Sequence, residues 1–373
     1  DRQPIVVAVP TSGEAERLVN DLVAFLGPDE VDLFPAWETL PFERVSPNTD
    51  TMGRRLRTLW HLRDPQRAPR VVVAPVRALV QRLGPHVADV EPIVVGAGDR
   101  VDPTELVEEL VAFGYRREYQ VEHRGEVAVR GSIVDVYPST ADAPVRIDLW
   151  GDEVDRLTEF SPADQRSTVD LAEVELFPCR ELLPTAEVRA RAEKLVAAEP
   201  WGREQWERLA EGQTFDGMES WLPWLVADGR DSDDAEVLFD LLDDDAQVLL
   251  FEPRRMRDRA GDILAEEDDL AVTLARTWGA LDDGPVPGAD GATDGPGPAA
   301  GAEAEPSTGH RTDAHRSPFP RLHVPFDRLL VRTTAPSWTV TTAPEGPDVA
   351  TVAAAGWNPV VGDGEGLVRQ LRE

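Results

Sequence analysis

Residues 119–160 read YQVEHRGEVAVRGSIVDVYPSTADAPVRIDLWGDEVDRLTEF, and this stretch decides the fold. It reads as four short strands joined by tight turns. Val145, Ile147 and Leu149 alternate with Arg146, Asp148 and Trp150, so one face is apolar and the other carries charge and a large aromatic. Gly151-Asp152 then offers a two-residue hairpin turn with glycine at its first central position. The next strand, 153–160, alternates less cleanly, with Val154, Arg156 and Thr158 against Asp155, Leu157 and Glu159. The pattern predicts a small antiparallel sheet with Arg146 and Trp150 together on its solvent face. Trp and Arg are enriched among interface hot spots, so that face is the first candidate site. Arg130 lies on a neighbouring strand, where Gly131 leaves its facing open because glycine can bulge a strand.

On either side the texture changes to mixed α/β. A buried-type strand at 5–9 is followed by the turn Pro10-Thr11-Ser12-Gly13 and an amphipathic helix over about 14–26. Short strands are expected at 31–34 and 70–74, an edge strand at 93–95, and helices over 52–62 and from Pro75 onward. Asp102 reads as an N-cap with Pro103 in the first helical position of a helix to about 113. Downstream, the segment 171–177 precedes helices over 185–198 and 202–211, and Trp221 with Trp224 reads as core. A buried strand at 247–251 leads through Glu252-Pro253 into a helix to about 265. Strand-like segments at 329–332 and 338–342 and a short helix at 366–371 close the chain. The Gly/Pro/Ala/Asp-rich segment 282–318 has too little apolar surface to order itself and reads as a flexible excursion.

At 373 residues the chain has room for two or three domains with their own cores. It begins without an initiator Met and almost on a strand, as a fragment of a longer protein would. No run approaches the length of a membrane span, no signal-peptide core is visible at the N-terminus, and the single cysteine, Cys179, forbids an internal disulfide. The expected location is the cytoplasm. The net charge of −32 repels phosphate over most of the surface and argues against tight nucleic-acid binding.

The strand–turn–helix VVAVPTSGEAERL occupies the position of a phosphate loop, yet it has one glycine and no lysine, and Glu14 and Glu16 place negative charge at the helix start. Lys194, the sole lysine, sits in the helical stretch AEKLV. A Walker A site is therefore excluded. Asp152-Glu153-Val154-Asp155 imitates an acidic helicase box but falls on a hairpin turn, and 362–366, GDGEG, reads as a plain turn. The histidines at 61, 86, 123, 310, 315 and 323 show no metal-binding spacing. No catalytic residue, metal site or cofactor is expected. The basic stretch 54–82 reads as a solvated helix with salt bridges, with a phosphate-binding patch as the alternative.

Several ordered motifs now resemble a known family. LFPAWETLPFERVSPNTDTMGRRLRTLWHL, VVVAPVRALVQRL, LVAFGYRREYQVEHRGEVAVRGSIVDVYP, VRIDLWGDEVDRLTEFSPADQRS and PCRELLPT are together similar to the N-terminal UvrB-like module of the bacterial transcription-repair coupling factor family, Mfd. The likeness is specific from residue 5 to about 184; beyond that it rests on order and on GMESWLPWL. It implies a degenerate helicase-lobe-like (RecA-like) α/β domain over 1–114 that has lost its nucleotide motifs. A mostly antiparallel β domain is inserted at 115–189, and 190–373 supplies a second part of the α/β region. The missing Walker lysine agrees with the coupling factor rather than with UvrB, which keeps its phosphate loop. The resemblance implies that the β domain docks UvrA, the surface being masked at rest by the C-terminal domain of the longer protein. Carried over by motif, the UvrA-contacting positions are Arg130 of VRGSI and Arg146 and Trp150 of VRIDLW, with Trp150 standing where the family pattern has Phe. RNA polymerase and DNA would be engaged through other domains, among them an ATP-driven DNA translocase. Two other readings compete: a helicase or nuclease lobe that depends on a partner for ATP, and a free-standing repair scaffold.

Overall fold

The computed structural model describes residues 4–226, 235–280, 317–342 and 350. The chain divides into two compact units, Asp1–Val340 and Thr341–Glu373, and the architecture below is that of the first. The expectations for 282–318, for the turn at 362–366 and for a helix at 366–371 fall largely or wholly outside the described residues.

Strand β1 (Ile5–Val9) opens the chain and runs into helix α1 (Ser12–Leu26), whose N-cap Thr11 accepts from the Glu14 amide. Strand β2 (Val31–Leu33) leads to α2 (Thr49–Leu62), capped by Asn48, and then to β3 (Val71–Pro75) and the single turn of α3 (Val76–Leu79). Two late strands complete the sheet that these begin. In chain order the intervening elements are β4 (Ile93–Gly96), α4 (Pro103–Ala112), β5 (Arg116–Arg117), β6 (Glu126–Arg130), β7 (Ile133–Val136), β8 (Val145–Trp150), β9 (Glu153–Phe160), β10 (Ser167–Leu171) and β11 (Glu173–Leu176). Helices α5 (Ala186–Ala198), α6 (Arg203–Ala210) and α7 (Leu222–Val226) follow, then β12 (Gln247–Phe251), α8 (Pro253–Thr277) and β13 (Ser337–Val340).

The first sheet is parallel and five-stranded, in the order β13-β12-β1-β3-β2. Its central strands are apolar throughout because both faces are covered. Val6, Ala8, Val72, Ala74, Val248 and Leu250 face a core shared with α2, α3 and α8, while Val7, Val9, Val71 and Val73 face α1. A second sheet, antiparallel except for its β5–β6 edge, has the order β10-β9-β8-β7-β6-β5 and is built from the opening stretch. Its inner face packs Val134, Val136, Val145, Ile147, Leu149 and Leu157 against Leu106, Val107 and Leu110 of α4. A third core is helical and aromatic: Trp206, Trp221 and Trp224 are buried there with Phe42 and Phe319, bearing out the core reading of Trp221 and Trp224. Gly217, at the start of the GMESWLPWL motif, has φ of +79°, and a Cβ there would lie 2.4 Å from the Arg44 backbone, so no larger residue fits.

Four sequence expectations change. The strand at 93–95 is not an edge of the parallel sheet; β4 pairs with β11 in a separate two-stranded sheet whose Val95 and Val174 join the β-sheet core. Gly131 does not bulge β6; it lies in the turn with φ of +65°, Arg130 pairs with Ile133, and the facing of Arg130 is thereby fixed. Helix α8 runs on past 265 to Thr277, and on that added length Glu267 is buried and faces His323 at 2.9 Å. Residues 326–330 form a 3-10 turn rather than a strand at 329–332, held by the buried pair of Arg328 with Asp240.

Candidate functional site

The faces of β6–β9 follow from pleat and register. Ala128, Asp135, Arg146 and Thr158 lie side by side across the four strands on the face opposite the core. One pleat nearer the turns, Ile133, Asp148 and Arg156 make a second row, and Trp150 stands at the end of β8 opposite Glu153. The weak alternation in β9 has a cause. The register slips between Asp148 and Leu149, which pair with Arg156 and Val154, leaving Asp155 as the extra residue of a bulge. Val154 and Leu157 can then both face inward. Gly151 takes φ of +69° in the β8–β9 turn, as the hairpin reading required.

The three residues singled out by sequence do share this face, but they are not alike. Trp150 is 82% exposed, a bare indole at the sheet end. Arg146, expected on the solvent face, has a side chain only 14% exposed. It donates from Nε to Asp135 Oδ1 at 2.7 Å and from Nη2 to Oδ2 at 2.9 Å, and its guanidinium lies 4.7 Å from the Phe160 ring centroid. Arg130 is 36% exposed and also donates to Asp135. The outer face is therefore not a bare charged surface: Val121, Ala128 and Phe160 form a small apolar layer there, and Asp135 is completely buried beneath the two arginines. The bidentate carboxylate raises the Arg146 pKa, with burial opposing it. Two guanidiniums share the one buried carboxylate at the centre of this face, and Asp148 lies close enough to act on Arg146 as well. Arg156, paired with Asp170 at 2.6 Å, Asp148 and Ile133 flank it and were not picked out in advance. Their alternation was legible; what placed them beside Arg130 was cross-strand register, which no local pattern carries.

The basic stretch 54–82 is largely spent internally. Arg55 meets Glu181 in a wholly buried pair, Arg57 and His61 meet Asp32, Arg63 meets Glu91, and Arg77 donates to the Thr39 carbonyl. The expected salt bridges are present, but α2 is not the solvated helix expected, since Arg55, Leu56, Thr58, Leu59 and Trp60 are buried. Beyond the C-terminal ends of β1, β2 and β3, where open α/β sheets bind their ligands, lies a cavity of about 330 Å³ whose lining includes Glu16, Glu38, Asp50, Arg54 and Arg77. At the head of α1 the Thr11 hydroxyl donates to Glu14, and Glu14 pairs with Arg255 at 3.0 Å. Burial pushes the Glu14 carboxyl up, and Thr11 and Arg255 more than offset it, so it stays ionised below its usual range. A helix start that elsewhere receives phosphate here carries an ionised carboxylate in its own first turn. Among the described residues no cluster of three His, Cys, Asp or Glu side chains is arranged to hold a metal, and no helix is long and apolar enough to cross a membrane.

The second sheet, with β4, α4 and β11 around it, is the part that a known family matches: residues 93–182 fit the UvrB interaction domain. Curated relatives extend the likeness over much of the chain. It is 41% identical over 276 residues to the transcription-repair-coupling factor of Mycobacterium bovis, covering 70% of this chain and 22% of that protein. The Myxococcus xanthus factor is 35% identical over 75% of the chain and 24% of its own length, and the Escherichia coli factor is 34% identical over 48% and 15%. The resemblance to the UvrB-like module of Mfd is borne out by these matches. The chain spans about a fifth of the length of the Mycobacterium relative.

Proposed function

We propose that this chain is the non-catalytic recruitment module of a transcription-repair coupling factor, and that the outer face of its second sheet docks UvrA of the nucleotide excision repair machinery. The single observation that carries the reading is Trp150, 82% exposed on the same face of the sheet as the Arg130 and Arg146 guanidiniums, in the part that matches the UvrB interaction domain. Trp150 supplies an aromatic anchor, and Arg130 and Arg146 supply directed donors for an acidic group on the partner. The α/β part acts as scaffold: a degenerate helicase lobe whose phosphate position carries the Glu14 carboxylate. In this reading 1–114 and 190–373 belong to that lobe and 115–189 is the docking domain. ATP-driven DNA translocation and RNA polymerase binding belong to the remainder of a longer cytoplasmic protein, whose C-terminal domain masks the docking face at rest. The chain itself needs no cofactor.

The test is UvrA affinity measured by titration with Trp150→Ala and Arg130→Ala. Truncating a central aromatic or Arg anchor typically costs about 2 kcal/mol, roughly thirtyfold in affinity. Trp150→Ala should show that loss with an unchanged melting temperature, because the side chain packs on little. UvrA affinity equal to the parent's in both variants overturns the proposal.

A further inference from the structure

The geometry points to Gln165 as the residue that positions the two docking arginines; this rests on the docking reading above and names how that site is held ready. Gln165 lies in the loop between β9 and β10 with φ of +60°. Among the described residues only Phe42, His86 and Glu252 share a positive φ without being glycine. A left-handed backbone disfavours a long L side chain, and glycine or asparagine adopts it more readily. Here the glutamine is used at every polar atom. Its amide nitrogen donates to the carbonyls of Pro162 at 3.0 Å and Val121 at 3.3 Å, which orients the side chain. Its Oε1 then accepts from Arg130 Nη2 at 3.3 Å, and its main-chain carbonyl accepts from Arg146 Nη1 at 3.1 Å. The left-handed turn is what lets one residue aim side chain and main chain at two different guanidiniums.

Asp135 alone does not hold both arginines equally. Arg146 takes both of its oxygens, and Arg130 shares Oδ2 with Arg146. Gln165 gives Arg130 a second acceptor, so its long side chain is ordered before any partner arrives. Ordering a flexible side chain is one of the costs of association, and removing that cost in advance strengthens binding without adding a contact. Strain retained at a site that over-determines it is the pattern expected of such a device. The group this arrangement receives is an acidic one, because an ordered guanidinium presents directed N–H donors. Gln165 therefore acts through Arg130 and Arg146 and does not itself need to touch the partner.

The experiment uses the whole chain, purified UvrA and two variants. Gln165→Asn suits the left-handed backbone but is one methylene too short to reach Arg130; Gln165→Gly removes the side chain and relieves the backbone. Both should melt close to the parent yet bind UvrA about tenfold more weakly. In an Arg130→Ala background the loss should shrink towards nothing, a coupling that a purely structural role does not produce. Three results overturn the inference: parental affinity in both variants while Trp150→Ala weakens binding, the same loss persisting in the Arg130→Ala background, or a lowered melting temperature with unchanged affinity of the folded fraction. If Trp150→Ala and Arg130→Ala also bind as the parent does, it is the docking reading that has failed, and this inference falls with it.

Discussion

Glu181→Leu should cost more stability than any surface change on the docking face. The chain leaving the second sheet passes through Glu181, whose carboxylate is wholly buried against α2. It accepts from Arg55 Nε at 2.7 Å, from Arg55 Nη2 at 3.1 Å and from Trp37 Nε1 at 2.8 Å. Arg55 is itself buried, its remaining Nη1 donating to the Pro35 carbonyl and its guanidinium 4.2 Å from the Phe34 ring centroid. Removing the carboxylate leaves a guanidinium with no solvent-exposed surface without its charge partner, and an indole N–H without its acceptor. Breaking one side of such a pair costs about 3–5 kcal/mol, whereas replacing both partners by apolar groups is often nearly neutral. For a unit of this size each kcal/mol moves the melting temperature by roughly 2–4 °C, so a fall of about 10 °C is expected. The double variant Arg55→Met/Glu181→Leu should recover most of it. Thermal melts and urea midpoints at constant m-value measure both, with Trp150→Ala as the silent control. A Glu181→Leu protein melting within about 2 °C of the parent refutes the reasoning, since an uncompensated buried charge cannot be that cheap.

Further outcomes follow from other sites. Arg146→Ala should destabilise as well as weaken docking, because it strips buried Asp135 of its bidentate partner; a melting temperature equal to that of Trp150→Ala would contradict the geometry. Burial pushes the Cys179 thiol up to about 12, so it should resist alkylation at pH 8 in the native chain and react at once in urea; rapid native labelling would show the site to be open. His86 sits against Glu187 and Asp89, which raise its pKa above 6.5. Its contribution to stability is then fully present below pH 6.5 and lost as pH rises through the higher folded value, and His86→Ala should flatten that part of the stability profile. A fluorescent ATP analogue with magnesium should not bind, as the head of α1 has no lysine and carries the Glu14 carboxylate in its first turn; micromolar magnesium-dependent binding would revive a helicase-lobe activity.

By itself the sequence determined the character of each element and the sides that matter. The strict alternation of 145–150 set one face of β8 to the core, the glycine at 151 set the hairpin, and Asp102-Pro103 set the start of α4, all because these signals act within a few residues. The lack of a Gly-Lys-Ser/Thr cradle was equally local. What only the tertiary structure decided was which charges are free. Arg146 and Asp135 are eleven residues apart, and nothing near either predicts that register stacks them and that Phe160 lids the pair. The same holds for Glu267, which is buried only because His323, 56 residues on, packs against it. A charge's cost depends on the water around it, and that water is set by whichever distant segments pack over it, so polar burial is the quantity least visible in a linear pattern.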